Sequence, residues 1–335
     1  AVSANSSYMV DTTAPTANFT AATDDVGTVT GTLSSGDTTN DTALVLSGTN
    51  ESGASVKVYN DSTELGAATV SGTGWSYSAT VADSTTYQFN VTETDLAGNT
   101  SSATSNFAIT GDTTGPTQTV SGVDLYPTSA DTGTSDSDFL TKTAAQTITG
   151  TLSANIASTD TLYGSVNNGS TWDNISSKVS GTGITWNGAT LSGSSNILFK
   201  ITDAVGNDGS NTGSQAYVLD TTAPTLTITM TNTGGQDPYD IKTGDNNPTI
   251  LFNFTEAPSN FATADITVQN GSIGSTLAVN GSDDTIYTAT FTPTCCGASG
   301  VYDTTNVVTV GQNWTDLVGN SPAADSTSAN YIVDL

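Results

Sequence analysis

The sequence predicts an all-β protein made of three tandem β-sandwich domains, and two motifs that recur in register lead to this prediction. The motif Asp-Thr-Thr-x-Pro-Thr begins three times, at Asp11, Asp112 and Asp220. A second motif, Asp-x-x-Gly-Asn, also begins three times, at Asp95, Asp203 and Asp316. The resulting period of about 100 to 115 residues is too long for a solenoid repeat and suits a sandwich domain.

Between the motifs, apolar and polar residues alternate with a period of two. Trp75, Tyr77 and Ala79 alternate with Ser76 and Ser78. Such alternation predicts strands with one buried and one solvated face. The same pattern occurs at Val56 and Val58, at Tyr87, Phe89 and Val91, at Ile197, Phe199 and Ile201, at Leu226, Ile228 and Met230, and at Ile250, Phe252 and Phe254.

The charge balance restricts the partners of the chain. The 335 residues contain 32 Asp and Glu but only five Lys, with no Arg or His, which gives a net charge of −27. Such a surface repels nucleic acid and anionic lipid and attracts cations. No apolar run approaches the length of a membrane span, so membrane insertion is not expected. With no leader sequence and an initial Ala, the chain reads as a mature product or an excerpt.

The chain resembles the bacterial immunoglobulin-like repeats of large surface adhesins and biofilm-associated proteins. The resemblance covers nearly the whole chain and implies immunoglobulin-like sandwiches arranged as an elongated rod, outside the cell. The segments that carry it include ESGASVKVY at 51–59, DLAGNTS at 95–101, DTGTSDSDFLT at 131–141, FNFTEAP at 252–258 and YTATFTPT at 287–294.

The motifs also predict the domain boundaries. Repeat 1 spans residues 11–111, repeat 2 spans 112–219 and repeat 3 spans 220–335. Residues 1–10 resemble the closing segment of repeat 3, so they are interpreted as a last strand without its domain. That strand would complete a preceding repeat of the same polypeptide or add to the sandwich of a neighbouring molecule; a disordered tail is the third possibility.

Acidic residues are predicted to meet at the end of each sandwich where its chain enters. In an immunoglobulin-like topology the start of strand A, the B–C loop and the F–G loop share this end, here called the N-terminal pole. The predicted sets are Asp11, Glu51 and Asp95 in repeat 1; Asp112 and Asp203, with Asp160 as a weaker third, in repeat 2; and Asp220, Glu256 and Asp316 in repeat 3.

The opposite, C-terminal pole of each repeat is acidic as well. Its residues flank the predicted A–B turns and would face the N-terminal pole of the next repeat. They are Asp24, Asp25 and Asp41 in repeat 1; Asp131, Asp136 and Asp138 in repeat 2; and Asp240 and Asp245 in repeat 3.

Structural Ca²⁺ at the domain junctions is the predicted role of these carboxylates. Calcium takes 6 to 8 oxygen ligands in flexible geometry, and Asn99, Asn207 and Asn320 could supply carbonyl oxygens. The alternative is that the acidic residues only form turns, because Asp and Asn accept hydrogen bonds from backbone two residues on. Zinc is disfavoured, because there is no His and only one pair of Cys.

The remaining features are weaker signals. The adjacent Cys295 and Cys296 could form a vicinal disulfide, pair between molecules or stay reduced. Glycans could be attached at Asn-x-Ser/Thr sites, among them Asn18, Asn60, Asn90, Asn168 and Asn253. The four Trp residues fall in or near strand patterns rather than a cleft, and no His is present to activate a nucleophile, so an enzyme is not expected.

The expected function is mechanical: a calcium-stiffened stalk segment of an extracellular surface adhesin. Pro15, Pro116 and Pro224 restrict the linkers and so limit hinge freedom. The alternative is a subunit of an extracellular filament or surface layer that assembles by strand addition. The expected partners are neighbouring repeats of the same polypeptide or identical subunits. An ice- or carbohydrate-binding module would need a flat, regular ligand face that the sequence does not contain.

Overall fold

The alternating segments form strands, so the all-β prediction is confirmed. The computed structural model describes residues 9–242, 244–294 and 305–334. The described helical segments are three short 3-10 turns, Thr128–Ala130, Ser176–Lys178 and Thr263–Asp265. Within the described chain, no helix has the length and apolarity that a membrane span requires.

Repeat 1 is a sandwich of two five-stranded sheets, with the orders β2-β1-β4-β8-β7 and β3-β10-β9-β5-β6. Its strands are β1 Asn18–Asp24, β2 Gly31–Leu33, β3 Asp37–Thr39, β4 Ala43–Thr49, β5 Ser55–Asn60, β6 Thr63–Ala67, β7 Thr69–Ser71, β8 Gly74–Thr80, β9 Thr86–Thr94 and β10 Phe107–Gly111.

Repeat 2 is a sandwich of a four-stranded sheet, β11-β13-β17-β16, and a five-stranded sheet, β12-β19-β18-β14-β15. Its strands are β11 Val120–Tyr126, β12 Leu140–Thr141, β13 Ala145–Leu152, β14 Thr161–Ser165, β15 Asp173–Asn174, β16 Val179–Ser180, β17 Gly183–Thr190, β18 Ser195–Thr202 and β19 Thr212–Leu219.

Repeat 3 has one continuous sheet with the order β20-β22-β26-β24, in which β25 also pairs with β26. Its second layer consists of the two-stranded sheet β21-β29 and the three-stranded sheet β23-β27-β28. Its strands are β20 Leu226–Thr231, β21 Asp240–Lys242, β22 Thr249–Phe254, β23 Ile266–Val268, β24 Gly271–Ile273, β25 Ala278–Asn280, β26 Asp283–Pro293, β27 Val308–Val310, β28 Ser326–Thr327 and β29 Ile332–Asp334.

Each repeat has its own apolar core, built from the inward positions of the period-two pattern. Val58 and Phe89 lie in the core of repeat 1, Ile148 and Phe199 in that of repeat 2, and Phe252 in that of repeat 3. Since one core does not continue into the next, the stiffness of the chain depends on the two junctions between repeats.

The first strand of each sandwich has two parts. In repeat 1, β1 pairs antiparallel with β4, and β3 then pairs parallel with β10, the last strand of the domain. The same switch is made by β12, parallel to β19, and by β21, parallel to β29. The acidic loops of the C-terminal poles, predicted as A–B turns, are therefore longer segments in which the chain passes from one sheet to the other.

Two predictions lie largely outside the described residues. These are the extra strand at residues 1–10, of which only Met9 and Val10 are described, and the state of Cys295 and Cys296. Met9 and Val10 are exposed and belong to no strand.

Candidate metal centre and domain junctions

The Asp-x-x-Gly-Asn motif folds into the same turn in all three repeats. In repeat 3, Asp316 Oδ1 accepts the N–H groups of Val318 and Asn320 at 2.9 and 2.8 Å. The motif glycines Gly98, Gly206 and Gly319 have φ between 88° and 94°, a left-handed conformation that other residues rarely adopt. The aspartate thus shapes the turn, and the glycine permits it.

The asparagine of this motif connects the turn to the linker. Asn320 Nδ2 donates to Asp316 Oδ2 at 2.8 Å and to the backbone oxygen of Asp220 at 3.0 Å. Asn207 makes the same pair of bonds to Asp203 and Asp112, and Asn99 to Asp95 and Asp11. The two sequence motifs of each repeat are thus hydrogen-bonded to one another.

Each internal linker is held from both sides. The N–H of Asp112 donates to Thr39 O in repeat 1 at 2.8 Å, while its carbonyl accepts from Asn207 in repeat 2. The N–H of Asp220 donates to Thr141 O in repeat 2 at 2.9 Å, while its carbonyl accepts from Asn320 in repeat 3. A single residue therefore connects successive sandwiches through its backbone.

The structure brings together the predicted acidic set of repeat 3. Asp220, Glu256 and Asp316 each place a carboxylate oxygen within 4.8 Å of the other two. Two oxygens bound to one calcium ion lie at most about 5 Å apart, since each Ca–O bond is about 2.3–2.6 Å. These three residues, here called the acidic trio, thus have a spacing that one calcium ion can bridge.

The electrostatics of the acidic trio are unfavourable without a cation. Burial raises the pKa of the Glu256 carboxyl above its ordinary value, and the neighbouring charges of Asp220 and Asp316 raise it further. Asp316 is buried, and Asp220 and Glu256 are half-buried. Like charges at this separation repel unless a proton or a cation intervenes.

The acidic trio opens onto the junction with repeat 2. A cleft of about 190 Å³ is lined by Asp220, Glu256 and Leu317 from one side and by Leu140 of repeat 2 from the other. Besides the backbone bond from Asp220 to Thr141, two side chains of repeat 2 donate across this junction: Thr132 Oγ1 to Val318 O at 2.8 Å, and Lys142 Nζ to Gly319 O. The turn of the motif is thus also the contact surface for the preceding repeat.

The corresponding residues of the other two repeats are arranged differently. Among residues 9–242, 244–294 and 305–334, the acidic trio is the one set of three metal-binding side chains that meets this spacing. In repeat 1, Asp11 and Glu51 are exposed and Asp95 is half-buried; in repeat 2, Asp112, Asp160 and Asp203 are all half-buried.

The carboxylates of the C-terminal poles act as acceptors within their own loops. Asp24 accepts from Val26 N and Thr39 Oγ1, and Asp41 accepts from Ala43 N. Asp25 is exposed. These bonds are those of turn residues, which was the alternative interpretation of the acidic pattern.

In repeats 2 and 3, Asp138 and Asp245 take the same role. Asp138 accepts from Ser135 N and Leu140 N, whereas Asp136 is exposed. In repeat 3, Asp245 accepts from Lys242 N at 2.7 Å, and Asp240 forms an ion pair with Lys242 at 2.7 Å.

Asp131 differs from the other loop carboxylates. It is buried, its Oδ2 accepts from Phe139 N at 2.9 Å, and its Oδ1 has no hydrogen-bond partner. Burial raises its pKa, and the adjacent Asp138 adds to the rise. Asp131 is therefore an incompletely satisfied carboxyl group close to the junction residue Thr132.

The sequence patterns did not predict Thr132 and Lys142, because no motif indicates which side chains cross a junction. Lys142 directly follows β12, the strand that pairs with β19. Lys242 has a similar place in repeat 3, at the end of β21, which pairs with β29. Among the sequon residues, Asn90 is buried and its amide donates to Asp61 O and Asn106 Oδ1, so no glycan can be attached to it in the folded domain.

Comparisons with protein families identify two of the three repeats. One family described as "Bacterial Ig-like domain" matches residues 11–113, and a second family with the same description matches residues 220–333. The two matches together cover about two thirds of the chain and exclude most of repeat 2. No curated protein matches the chain.

Several solved structures resemble the chain at low identity. The fibronectin(III)-like modules of CbhA from Clostridium thermocellum share 14% identity over 54% of this chain and 87% of theirs, with a TM-score of 0.33. Immunoglobulin domains 1–4 of Sidekick-1 share 10% identity over 94% of this chain and 74% of theirs, with a TM-score of 0.21.

A further resemblance is to SGBP-B of the mixed-linkage glucan utilization locus of Bacteroides ovatus, solved in complex with a mixed-linkage heptasaccharide. It shares 13% identity over 87% of this chain and 65% of its own, with a TM-score of 0.18.

Proposed function

Because the chain belongs to the bacterial Ig-like domain proteins, we propose that it is a stalk segment of an extracellular surface adhesin whose junctions are stiffened by calcium. Ig-like domain families are typically non-catalytic structural modules that occur outside the cell or at its surface. The function assigned here is to hold other parts of a surface protein at a distance, which requires junctions that resist bending.

The acidic trio is the observation that carries this proposal. Its three carboxylates lie within bridging distance of one cation, and two of them, Asp220 and Glu256, line the cleft that separates repeat 3 from repeat 2. Calcium suits the site because it prefers hard oxygen ligands and tolerates irregular geometry, whereas zinc prefers nitrogen and sulfur. Burial, and then the charges of Asp220 and Asp316, raise the pKa of Glu256, and a bound ion would oppose both effects.

The hydrogen bonds of the linker determine what the cation would add. Asp220 is already fixed through its backbone to Thr141 on one side and Asn320 on the other. Its side chain accepts a hydrogen bond from Thr222 N at 2.9 Å. A cation bound by this carboxylate would join the linker to Glu256 and Asp316, and it would therefore restrict rotation about the hinge without changing either sandwich.

Small-angle X-ray scattering of the full chain tests this function. We expect the maximum dimension to be greater and the distribution of distances narrower in calcium than in chelator, because a neutralised junction samples fewer bent arrangements. Glu256→Gln should abolish most of this calcium response. Glu64→Gln is the matched control, since Glu64 is exposed and pairs with Lys57 on the side of repeat 1.

An unchanged scattering curve in calcium and in chelator would contradict the proposal. An equal calcium response in Glu256→Gln and wild type would mean that calcium acts at sites other than the acidic trio.

One observation fits the stalk and also a second candidate, a subunit of an extracellular filament. The turn of repeat 1 that corresponds to the junction turns carries Leu96, which is 85% exposed, whereas the equivalent Leu317 is 45% exposed beside repeat 2. In this alternative the exposed turn would contact a second copy of the chain; in the stalk it would contact a neighbouring repeat of the same polypeptide.

Sedimentation velocity over a range of concentrations separates the two candidates. A subunit should form end-to-end oligomers in calcium that Leu96→Ser weakens. A stalk segment should remain a monomer under the same conditions, with or without the substitution.

A further inference from the structure

A buried glutamate in repeat 1 occupies a position where the other repeats have apolar core residues. Glu93 lies two residues before the motif aspartate Asp95, as Ile201 and Trp314 do before theirs. All three side chains are buried, and Glu93 is only 1% exposed. A carboxylate therefore takes the place of an isoleucine and a tryptophan at the N-terminal pole of repeat 1.

A second substitution of the same kind accompanies it. Asn50 donates its N–H to Thr73 O just as Leu152 donates to Thr182 O, so the two residues are equivalent. Leu152 belongs with Ile201 to the core of repeat 2. Asn50 is 7% exposed. Repeat 1 has thus exchanged a pair of apolar core positions for an amide and a carboxylate.

Both polar side chains form a hydrogen bond with the backbone of Glu51, and each has one oxygen left unsatisfied. Glu93 Oε1 accepts the N–H of Glu51 at 2.5 Å, and Asn50 Nδ2 donates to the carbonyl of Glu51 at 2.7 Å. The second oxygens, Glu93 Oε2 and Asn50 Oδ1, are buried and have no hydrogen-bond partner among the residues that the structure describes. An unsatisfied buried oxygen is costly, and an unpaired buried charge is more so.

Nothing in the described part of the chain neutralises Glu93. The ion pairs there join Lys57 to Glu64, Lys200 to Asp208, and Lys242 to Asp240. A buried water could satisfy the two oxygens but would leave the charge uncompensated. A small divalent cation with a preference for oxygen satisfies both requirements, and calcium belongs to this class.

We propose that repeat 1 binds one calcium ion inside its N-terminal pole, with Glu93 Oε2 and Asn50 Oδ1 as ligands. The site lies within one sandwich, between the loop after β4 and the end of β9, and is separate from the acidic trio of repeat 3. Calcium bound there would oppose the unfolding of repeat 1, whether or not any ion stiffens the junctions.

Hydrogen–deuterium exchange of the full chain, followed by mass spectrometry, tests this site locally. At 100-fold excess over Kd, calcium should slow exchange in residues 49–60 and 86–99 about 100-fold where exchange requires unfolding of repeat 1. The double variant Asn50→Leu/Glu93→Ile, which carries the residue pair of repeat 2, should fold and lose this response. Glu256→Gln should keep it.

The variant Glu93→Gln keeps the shape of the side chain and removes its charge, so it provides a second readout should the double variant fail to fold. It should also lose the calcium response in residues 49–60. The proposal is overturned if calcium leaves wild-type exchange in these segments unchanged, which would mean that a water or a proton occupies the site. A full response in Glu93→Gln would overturn it as well.

Discussion

The N-terminal poles of repeats 1 and 3 have the same two motifs and the same asparagine clamp, in which Asn99 or Asn320 donates to the linker backbone and to the motif aspartate. They differ in where their carboxylates lie. In repeat 3, Asp220, Glu256 and Asp316 come together at the end that faces the neighbouring repeat, where Trp314 is part of the core. In repeat 1, Asp11 and Glu51 are exposed, and a carboxylate is buried in place of the tryptophan. The motifs form the same turn and linker contacts in both repeats, and residues outside them, such as Glu93 and Glu256, determine where the other carboxylates lie.

The largest effect is expected from removing the apolar side chain that closes the pole of repeat 3. Trp314 is 1% exposed and packs edge-on against Phe254, with ring centroids 4.8 Å apart. Trp314→Ala should lower the free energy of unfolding of repeat 3 by about 3–5 kcal/mol. Chemical denaturation, monitored by hydrogen–deuterium exchange in peptides of repeat 3, measures this loss of stability.

The control for this variant is Trp172→Ala, because Trp172 is only half-buried and lies beside Lys200 on the surface of repeat 2. A comparable loss of stability in both variants would mean that the tryptophan position at the pole has no special role.

The next effect concerns the shared clamp. Asn320→Ala removes the bonds to Asp220 O and to the buried Asp316, which should cost about 1–3 kcal/mol because a buried carboxylate loses a donor. Asn99→Ala in repeat 1 should cost less, because Asp95 is half-buried and water can replace the lost donor. Urea unfolding measures both, with the exposed Asn313→Ala as control. Equal losses in the two clamps would contradict this difference.

The effect of Glu256→Gln on stability should have opposite signs in chelator and in calcium. In chelator the pKa of Glu256 is higher in the folded state than its ordinary value of 4.5, so protonation of this group stabilises the fold. This stabilisation is fully present below pH 4.5 and is lost as the pH rises through the raised pKa. The variant should therefore be more stable than wild type at neutral pH in chelator. With calcium, wild type should be the more stable, because it binds the ion.

Thermal unfolding in both buffers at several pH values measures this reversal. If the two proteins keep the same order of stability with and without calcium, Glu256 does not contribute to a cation site.

The smallest effect is expected at the direct contact between repeats 2 and 3. Lys142→Ala removes the donor to Gly319 O, a bond at an exposed side chain worth under about 1 kcal/mol. The melting temperature should be unchanged, while the flexibility of the junction increases slightly in scattering. Lys178→Ala removes the same charge away from the junction and should have no effect.

The fold and part of the site were predictable because both depend on local patterns. Alternation placed Val58, Phe89 and Phe252 in the cores, and topology brought Asp220, Glu256 and Asp316 to one pole, since strand order alone decides which loops share an end. The pattern could not show that Glu51 stays exposed while its backbone is held by Glu93, because the path of a loop depends on its hydrogen bonds.

Other features needed the structure for different reasons. Glu93 follows Tyr87, Phe89 and Val91 at the same period of two, so the alternation places it on the inward face of the strand. A charged residue at an inward position was the signal in the sequence for this buried carboxylate. The contact of Lys142 with Gly319 depends on how two domains are oriented, which no sequence period encodes.

Distance measurement by pulsed electron paramagnetic resonance tests the central claim most directly. Spin labels at Ser194→Cys and Thr276→Cys, exposed positions on repeats 2 and 3, report the junction in a background with Cys295→Ser and Cys296→Ser. Calcium should narrow the distance distribution in the otherwise unchanged chain, and Glu256→Gln should keep it broad in calcium and in chelator. An equally narrow distribution in chelator would contradict the claim that a cation at Asp220, Glu256 and Asp316 stiffens the junction.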